Sequence, residues 1–333
     1  MSVTVCISHK EDVDGIASAA LIGSIFKKTR IVLVDYANII NKLKNLVKEL
    51  PKNQKGINRI FICDLGLNKK NEIKFIDFLS QIIKNGYKVT YIDHHDLSEE
   101  SKDNIIKTGA NVIHSINECT SVQVYQKYKK KMKTLSSFLP AAGALTDYME
   151  NRPLAKQIIS KFDRQFLMLE STALSYIISA NQNNEPFLNE LVQKLSDLKY
   201  THEIEDGFDI ANQFAKKVWD GVKSIQDCIK TTKNLAYVQN TLDLSSSTIV
   251  NFVLGISEKD VAMVFKFKEE INSYIISIRG SQNCETHLGR LVNEVATRFA
   301  GSGGGHEKAC GAVIPDENFQ EFIKIIDKNI TVN

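Results

Sequence analysis

The 333-residue sequence has no strong excess of one charge: 42 Lys and Arg stand against 39 Asp and Glu, a net charge of +3. A protein that coats long nucleic acid usually carries a larger basic excess, so charge leaves room only for a local basic groove. No apolar run approaches the roughly 18 residues needed to span a bilayer, so no membrane-spanning helix and no membrane partner are expected. The first ten residues lack a basic stretch followed by a long apolar run, so no secretory signal is expected. Cysteines fall at 6, 63, 119, 228, 284 and 310, with no close pair. That argues against a disulfide scaffold or a cysteine-rich zinc site. Cys6 and Cys63 lie in strand-like runs and read as small buried apolar residues. There is no repeat of fixed period and no low-complexity segment. What is left, 43% hydrophobic and 24% charged, is the composition of a globular protein long enough for two domains. A cytoplasmic location is expected.

The first half alternates short apolar runs with amphipathic stretches. Strands are expected at 3–8, 31–34, 59–63, 87–92 and 110–113, with helices at 16–28, 39–50 and up to 83. Short apolar strands alternating with helices mean βαβ units and a mostly parallel sheet covered on both faces. Periodicity is then mainly helical from 121 to about 182, followed by a polar break, NQNNEP. A long connecting helix is expected over 210–232. A second α/β pattern follows, with strands at 235–238, 261–268, 274–279 and 312–314 and helices at 248–254, 288–299 and 318–328. The corner at Ile271, Asn272 and Ser273 reads as a hairpin. The expected organisation is an α/β N-terminal domain over 1–200, a helical connector over 201–233 and a smaller α/β domain over 234–333.

The chemistry lies in where the acids fall. Asp12 and Asp14 follow the first strand in SHKEDVDG, Asp64 ends the third in FICDLG, and Asp93, His94 and His95 end the fourth in YIDHHD. In an open parallel sheet the carboxyl ends of the strands share one edge, where ligands bind. Three separated segments thus deliver four aspartates and the histidines to one rim, and Asp147 in ALTDYMEN could add another. Such a cluster is costly without cations. Carboxylate and imidazole donors without thiolate favour Mn²⁺ or Mg²⁺ over structural zinc. Two ions about 3.5–4 Å apart would use the set, lower the pKa of a bound water and clamp a phosphoryl group. The implied reaction is hydrolysis of a phosphate ester or anhydride. A lone Asp after a strand is more often a turn residue or helix N-cap, the better reading for Asp35, Asp77 and Asp96, and one that could claim Asp12 too. It handles the three acidic segments together poorly. His114 and His202 read as structural or surface residues. The KYKKKMK run over 127–133 reads as a solvated helix end.

Near the C-terminus, Gly301, Ser302, Gly303, Gly304, Gly305 and His306 read as a loop between a helix and a strand. Consecutive glycines let backbone N–H groups approach a phosphate, and Arg279, ending the preceding strand, could pair with one bidentately. A glycine run is more often a flexible loop. Its separation from the acid cluster raises its value: one domain would hold a substrate that the other cuts.

Five motifs in order, HKEDVDGIASAAL, CDLG, IDHHD, TD and GSGGGHEKACGA, resemble those of the DHH phosphoesterase superfamily. The resemblance is to the branch carrying the DHH-associated C-terminal domain, which includes RecJ-like exonucleases, nanoRNases and cyclic-dinucleotide or pAp phosphodiesterases. It implies that His9, Asp12 and Asp64 hold one metal, and Asp14, Asp64, His94 and Asp147 the other. It implies that His95 contacts the substrate phosphate or leaving oxygen while Asp93 orients the histidines. Ser121 sits where the family has a small hydroxyl-bearing motif and is carried over as a substrate contact. Arg279 and Gly303, Gly304, Gly305 and His306 would bind the phosphate or terminal nucleotide. Two residues separate His9 from Asp-x-Asp, a gap that varies among relatives.

The expected function is a Mn²⁺-dependent phosphodiesterase or exonuclease on short or single-stranded RNA or DNA, with 3′→5′ polarity implied by the smaller family members. Dinucleotide or pAp hydrolysis is the near alternative. A DHH-type pyrophosphatase ranks low because its C-terminal domain lacks the GGGH loop. A non-catalytic partner in a helicase or repair assembly would have lost metal-binding aspartates, and all are present here. An active nuclease docked on such a partner, and a homodimer, are both compatible with the resemblance.

Overall fold

A computed structural model describes residues 3–36, 38–50, 56–67 and 69–332. The chain divides into two compact units, Met1–Phe214 and Ala215–Asn333.

The first unit opens with β1 (Thr4–His9), α1 (Val13–Ile25), β2 (Arg30–Val34), α2 (Ile39–Glu49), β3 (Asn58–Cys63), α3 (Lys69–Lys84), β4 (Tyr87–Asp93), α4 (Glu99–Lys107) and β5 (Asn111–His114). The strands form one parallel sheet in the order β2-β1-β3-β4-β5. Alternation along each strand splits the core in two. Val5, Ile7, Ile60, Ile62, Val89 and Tyr91 face the layer of α2, α3 and α4. Cys6, Phe61, Cys63 and Ile92 face the other layer. That layer contains α1 and the helices that follow: α5 (Thr120–Tyr128), α6 (Phe138–Thr146), α7 (Pro153–Ile159), α8 (Arg164–Ala180) and α9 (Glu185–Ser196). Parallel strands covered on both faces are what the near-continuous apolar runs require.

Most of α1, from Val13 to Ile22, is buried, because α5, α6 and α9 pack around it and its small residues permit close approach. It begins three residues earlier than its apolar spacing suggested. Asp12 is the N-cap, accepting from Gly15 N at 2.9 Å, as the turn reading of this residue expected. The polar break before α9 supplies the Asn184 cap, with Pro186 in the first turn.

Helix α10 (Gly207–Ile225) runs across the division between the units. The helix expected over 210–232 therefore stops early. Beyond Ile225 the chain makes a short turn, and β6 (Lys230–Thr231) pairs with β7 (Leu235–Gln239), which offers backbone partners that a continued exposed helix would lack.

The second unit continues with α11 (Ser246–Ser257), β8 (Val261–Lys268), β9 (Ser273–Gly280), α12 (Leu288–Arg298), β10 (Ser302–Gly305), β11 (Ala309–Pro315) and α13 (Phe319–Asn329). Its mixed sheet runs β10-β11-β9-β8-β7-β6, with β7 and β8 parallel and the other pairs antiparallel. The β8–β9 hairpin turns at Asn272, whose φ of 43° suits asparagine, as the sequence suggested. The glycine run is a correction. It is the edge strand β10, in register with β11 from Ser302↔Val313 to Gly305↔Cys310. A side chain at Gly289, in the first turn of α12, would meet the Gly305 carbonyl, so the glycines let helix and strand pack closely. Leu288 N and Gly289 N donate to Glu307 O and His306 O, which uses two of the helix-start donors.

Candidate metal and phosphoester site

The carboxyl ends of β1, β3 and β4 bring the acidic segments of the first unit together, with α1, α5 and α6 closing the back. His94 is the hub. Its Nδ1 lies 3.5 Å from Asp14 Oδ2 and 3.4 Å from Asp64 Oδ1, and its Nε2 lies 3.6 Å from Asp147 Oδ2. Asp14, Asp64 and His94 are buried, with ligand atoms all within 4.8 Å of one another. Asp64, Asp93 and His95 form a second such group. His9 Nε2 lies 3.5 Å from Asp12 Oδ2 and 3.8 Å from Glu11 Oε2. Among the described residues, His9 and Asp12 do not close a comparable trio with Asp64.

Each acid is fixed by backbone geometry. Asp64 follows β3 with φ 57°, a left-handed conformation that aspartate tolerates better than most residues. Asp14 accepts from Thr120 N at 2.7 Å and Ser121 N at 2.9 Å, the first amides of α5. Asp147 ends α6. Three glycines allow the approach. A Cβ on Gly15 would strike the His9 carbonyl, one on Gly66 would sit 2.8 Å from His95 Cγ, and one on Gly143 would meet Ser121 Oγ and reach 2.7 Å from Asp14 Oδ1.

His95 lies stacked on His94, ring centroids 4.4 Å apart. Its backbone N donates to Asp93 Oδ1 at 2.8 Å, and its Nδ1 lies 3.3 Å from both Asp93 oxygens. His114 Nε2 is 2.7 Å from the His95 carbonyl, which gives that histidine a structural place. Asp35 is likewise structural: it binds Lys10 Nζ at 2.9 Å and the Asn38 amide.

The electrostatics are those of a cluster short of positive charge. Burial, then the charges of Asp12, Asp14, Asp147 and Asp93, push the Asp64 carboxyl well above the usual range. Burial, then Asp14 and Asp12, push Asp147 up as well. Burial would also raise Asp14, but His94 and the Ser121 hydrogen bonds outweigh it and hold that carboxyl at about 2. Asp93 is lowered: burial opposes, and His95 and His94 outweigh it. For His95 burial favours the neutral ring, and Asp93 with Asp12 and Asp14 outweighs it and raises the pKa. Asp64 Oδ2 and Asp147 Oδ2 are buried with no hydrogen-bond partner among the described residues. Orphaned carboxylate oxygens facing an imidazole fit a divalent cation, which would satisfy them.

Residues 2–146 match the DHH family, N-terminal domain, and residues 233–331 match the DHHA1 domain. The chain belongs to the DHH superfamily, with a C-terminal DHHA1 domain. Among solved structures, this DHH protein is similar to a pGpG-specific phosphodiesterase, PggH, from Vibrio cholerae, at 15% identity and TM-score 0.57, covering 98% of each chain. It is similar to a DHH domain described as belonging to a family of ribosomal proteins, at 13% identity and TM-score 0.70, covering 98% of this chain and 86% of that one. It is also similar to RecJ from Thermus thermophilus, solved with Mg²⁺, at 12% identity and TM-score 0.53, covering 98% of this chain but 49% of that one. At these identities the likeness is one of fold. No curated protein sequence matches it. The fold is thus that of the DHH-family phosphoesterases, which are metal-dependent enzymes. No helix among the described residues is long and apolar enough to cross a membrane.

Of the residues singled out from sequence, the first unit gathers His9, Asp12, Asp14, Asp64, Asp93, His94, His95 and Asp147 at one rim. Ser121 is fully buried behind Asp14, so its position offers support to that carboxylate and no open face for a substrate. In the second unit, Arg279 is in register with Ala309 and Gly305 with Cys310, which puts Arg279 and the glycine strand at the same end of the sheet. Sequence reasoning missed Thr120, whose Oγ1 lies 3.2 Å from both Asp64 Oδ1 and His94 Nδ1. It missed Gln123, whose Nε2 donates to the carbonyls of Asp93, Ser115 and Glu118. Tyr36 was missed as well. The adjacency of Thr120 to Ser121 was the only available signal for the first of these.

Proposed function

We propose that this DHH protein is a metal-dependent phosphodiesterase that shortens short single-stranded oligonucleotides, from the 3′ end, using two Mn²⁺ ions or Mg²⁺ in their place. The carrying observation is the buried Asp14, Asp64 and His94 group, with the partly buried Asp147 beside His94 and the orphaned oxygens of Asp64 and Asp147. His9, Asp12 and Asp64 would hold the first ion, more loosely, and Asp14, Asp64, His94 and Asp147 the second. When bound, the ions would activate water and offset charge developing on the phosphoryl group. The chain's own groups do the rest. Thr120 and the α5 amides keep Asp14 and Asp64 in place. Asp93 orients His95, which meets a phosphate oxygen or the leaving oxygen. Arg279, Gly303, Gly304, Gly305 and His306 would bind a terminal phosphate or nucleotide.

Dinucleotide hydrolysis is the second reading. It is favoured by the likeness to the pGpG-specific phosphodiesterase across 98% of both chains, against 49% of RecJ. Mn²⁺-dependent hydrolysis of a short end-labelled single-stranded RNA, the same DNA and pApA, in wild type and Asp64→Ala, separates them. Stepwise shortening lost in the variant supports oligonucleotide degradation and reads its polarity. Cleavage of pApA alone moves the protein to dinucleotide turnover. No cleavage despite bound metal refutes both.

A further inference from the structure

We infer that Tyr36 is a positioning residue of this site: its hydroxyl fixes the His95 ring through Nε2 while its ring backs His9. Neither contact is legible in the motifs. Strands β1 and β2 run parallel with His9 opposite Val34, so two residues beyond Val34 the chain stands over the rim. The loop there is pinned. Lys10 N donates to Val34 O at 3.0 Å, and the largely buried Lys10–Asp35 ion pair and the Asp35–Asn38 bonds hold the backbone on either side of Tyr36. The Tyr36 ring centroid is 4.7 Å from that of His9, and its hydroxyl is 3.2 Å from His95 Nε2.

The hydrogen-bond directions follow from the donors present. The Asp93 carboxylate beside Nδ1 can only accept, and the Tyr36 hydroxyl beside Nε2 can donate. Nε2 then accepts, and Nδ1 carries the ring proton toward Asp93. One face of the His95 ring meets the Gly66 backbone and another His94, so orientation and tautomer are both set. Tyr36 itself is 39% exposed, which leaves its edge open to an arriving substrate. To meet a phosphate or leaving oxygen Nε2 must carry a proton, at which point it exchanges the Tyr36 bond for that oxygen without turning the ring, so His95 is presented ready-oriented.

The kinetic part of this inference rests on the phosphodiesterase reading; the His95 part does not. Tyr36→Phe keeps the ring on His9 and removes the hydroxyl. In metal-free protein, at a pH where the His95 ring is neutral, its imidazole ¹⁵N signals should move from a single Nδ1–H tautomer toward a mixture. Mg²⁺ or Mn²⁺ affinity by calorimetry should stay within about twofold, and kcat should fall about tenfold with KM little changed. Tyr36→Leu should in addition weaken metal binding, because His9 loses its aromatic neighbour. A wild-type His95 signal in folded Tyr36→Phe overturns the inference whether or not the chain hydrolyses phosphodiesters. Altered His95 signals with unchanged kcat, in an active enzyme, overturn the catalytic part.

Discussion

Replacing Asp64 with Asn should make the metal-free protein more stable and the metal-loaded protein less so. Asn tolerates the φ of 57° at this position, and its side-chain oxygen can still accept from Thr120 Oγ1 at 3.2 Å. What disappears is the cost of keeping this carboxyl either charged or protonated beside Asp12, Asp14, Asp147 and Asp93, and an orphaned oxygen becomes an amide nitrogen with protons to donate to those acids. Replacing uncompensated buried charge by a neutral isostere stabilises by about 1–3 kcal/mol. For a domain the size of residues 1–214, that is roughly 3–9 °C in Tm. In wild type, Mn²⁺ at a hundred times its Kd adds about 2.7 kcal/mol. In Asp64→Asn the residue that would serve both proposed metal positions is neutral, so most of that gain is lost. The assay is calorimetric melting of both proteins in EDTA and in Mn²⁺, with the order of Tm values reversing between the conditions. A lower Tm for Asp64→Asn in EDTA, or an equal metal-induced shift in both proteins, refutes the reasoning.

Three further outcomes are expected. Asp64 and Asp147 have folded pKa values raised above their unfolded ones, so in EDTA their contribution is fully present below the unfolded carboxyl pKa and is lost as pH rises through the folded values; Asp14, at about 2, works in the opposite direction and loses its contribution only as pH falls through that value. The Tm gap between Mn²⁺ and EDTA should therefore widen from pH 5 to pH 8, as metal displaces protons, and a gap that narrows refutes the assignment. Gly143→Ala gains about 1 kcal/mol of helix propensity but drives a methyl into Ser121 Oγ and Asp14, so net destabilisation of about 1–2 kcal/mol in urea is expected together with weaker metal binding. Thr120→Val removes the hydroxyl between Asp64 and His94 while keeping the amide on Asp14, so calorimetry should show metal affinity down about tenfold, with Thr120→Ser near wild type.

Much of the first unit was readable because its strands are buried on both faces. Continuous apolar runs broken by amphipathic helices admit few arrangements other than a covered parallel sheet, and strand ends in such a sheet fall on one edge. Asp12, Asp14, Asp64 and Asp-His-His were legible for that reason, each standing just past a strand. Asp147 was harder: nothing in ALTDYMEN marks it apart from the family order of motifs, and its place opposite His94 Nε2 comes from the packing of α6 against α1. Where periodicity is absent, local pattern failed. The glycine run offered no side chains to alternate, and only the register with β11 and the cover of α12 make it a strand. The stretch beyond Ile225 kept a helical look, but its outcome depended on β7 as a backbone partner.

The sequence by itself determined the order of elements, the edge on which the chemistry sits and the donor types that favour a hard divalent cation, because these follow from hydrophobic period and residue chemistry along the chain. Only the tertiary structure decided which atoms face one another. Thr120 and Tyr36 lie far along the chain from His94 and His95, respectively, and carry no motif, yet each orients one of those rings. The raised carboxyls of Asp64 and Asp147 are likewise a product of assembly, since an aspartate's proton affinity shifts only when folding removes its water and brings other charges beside it.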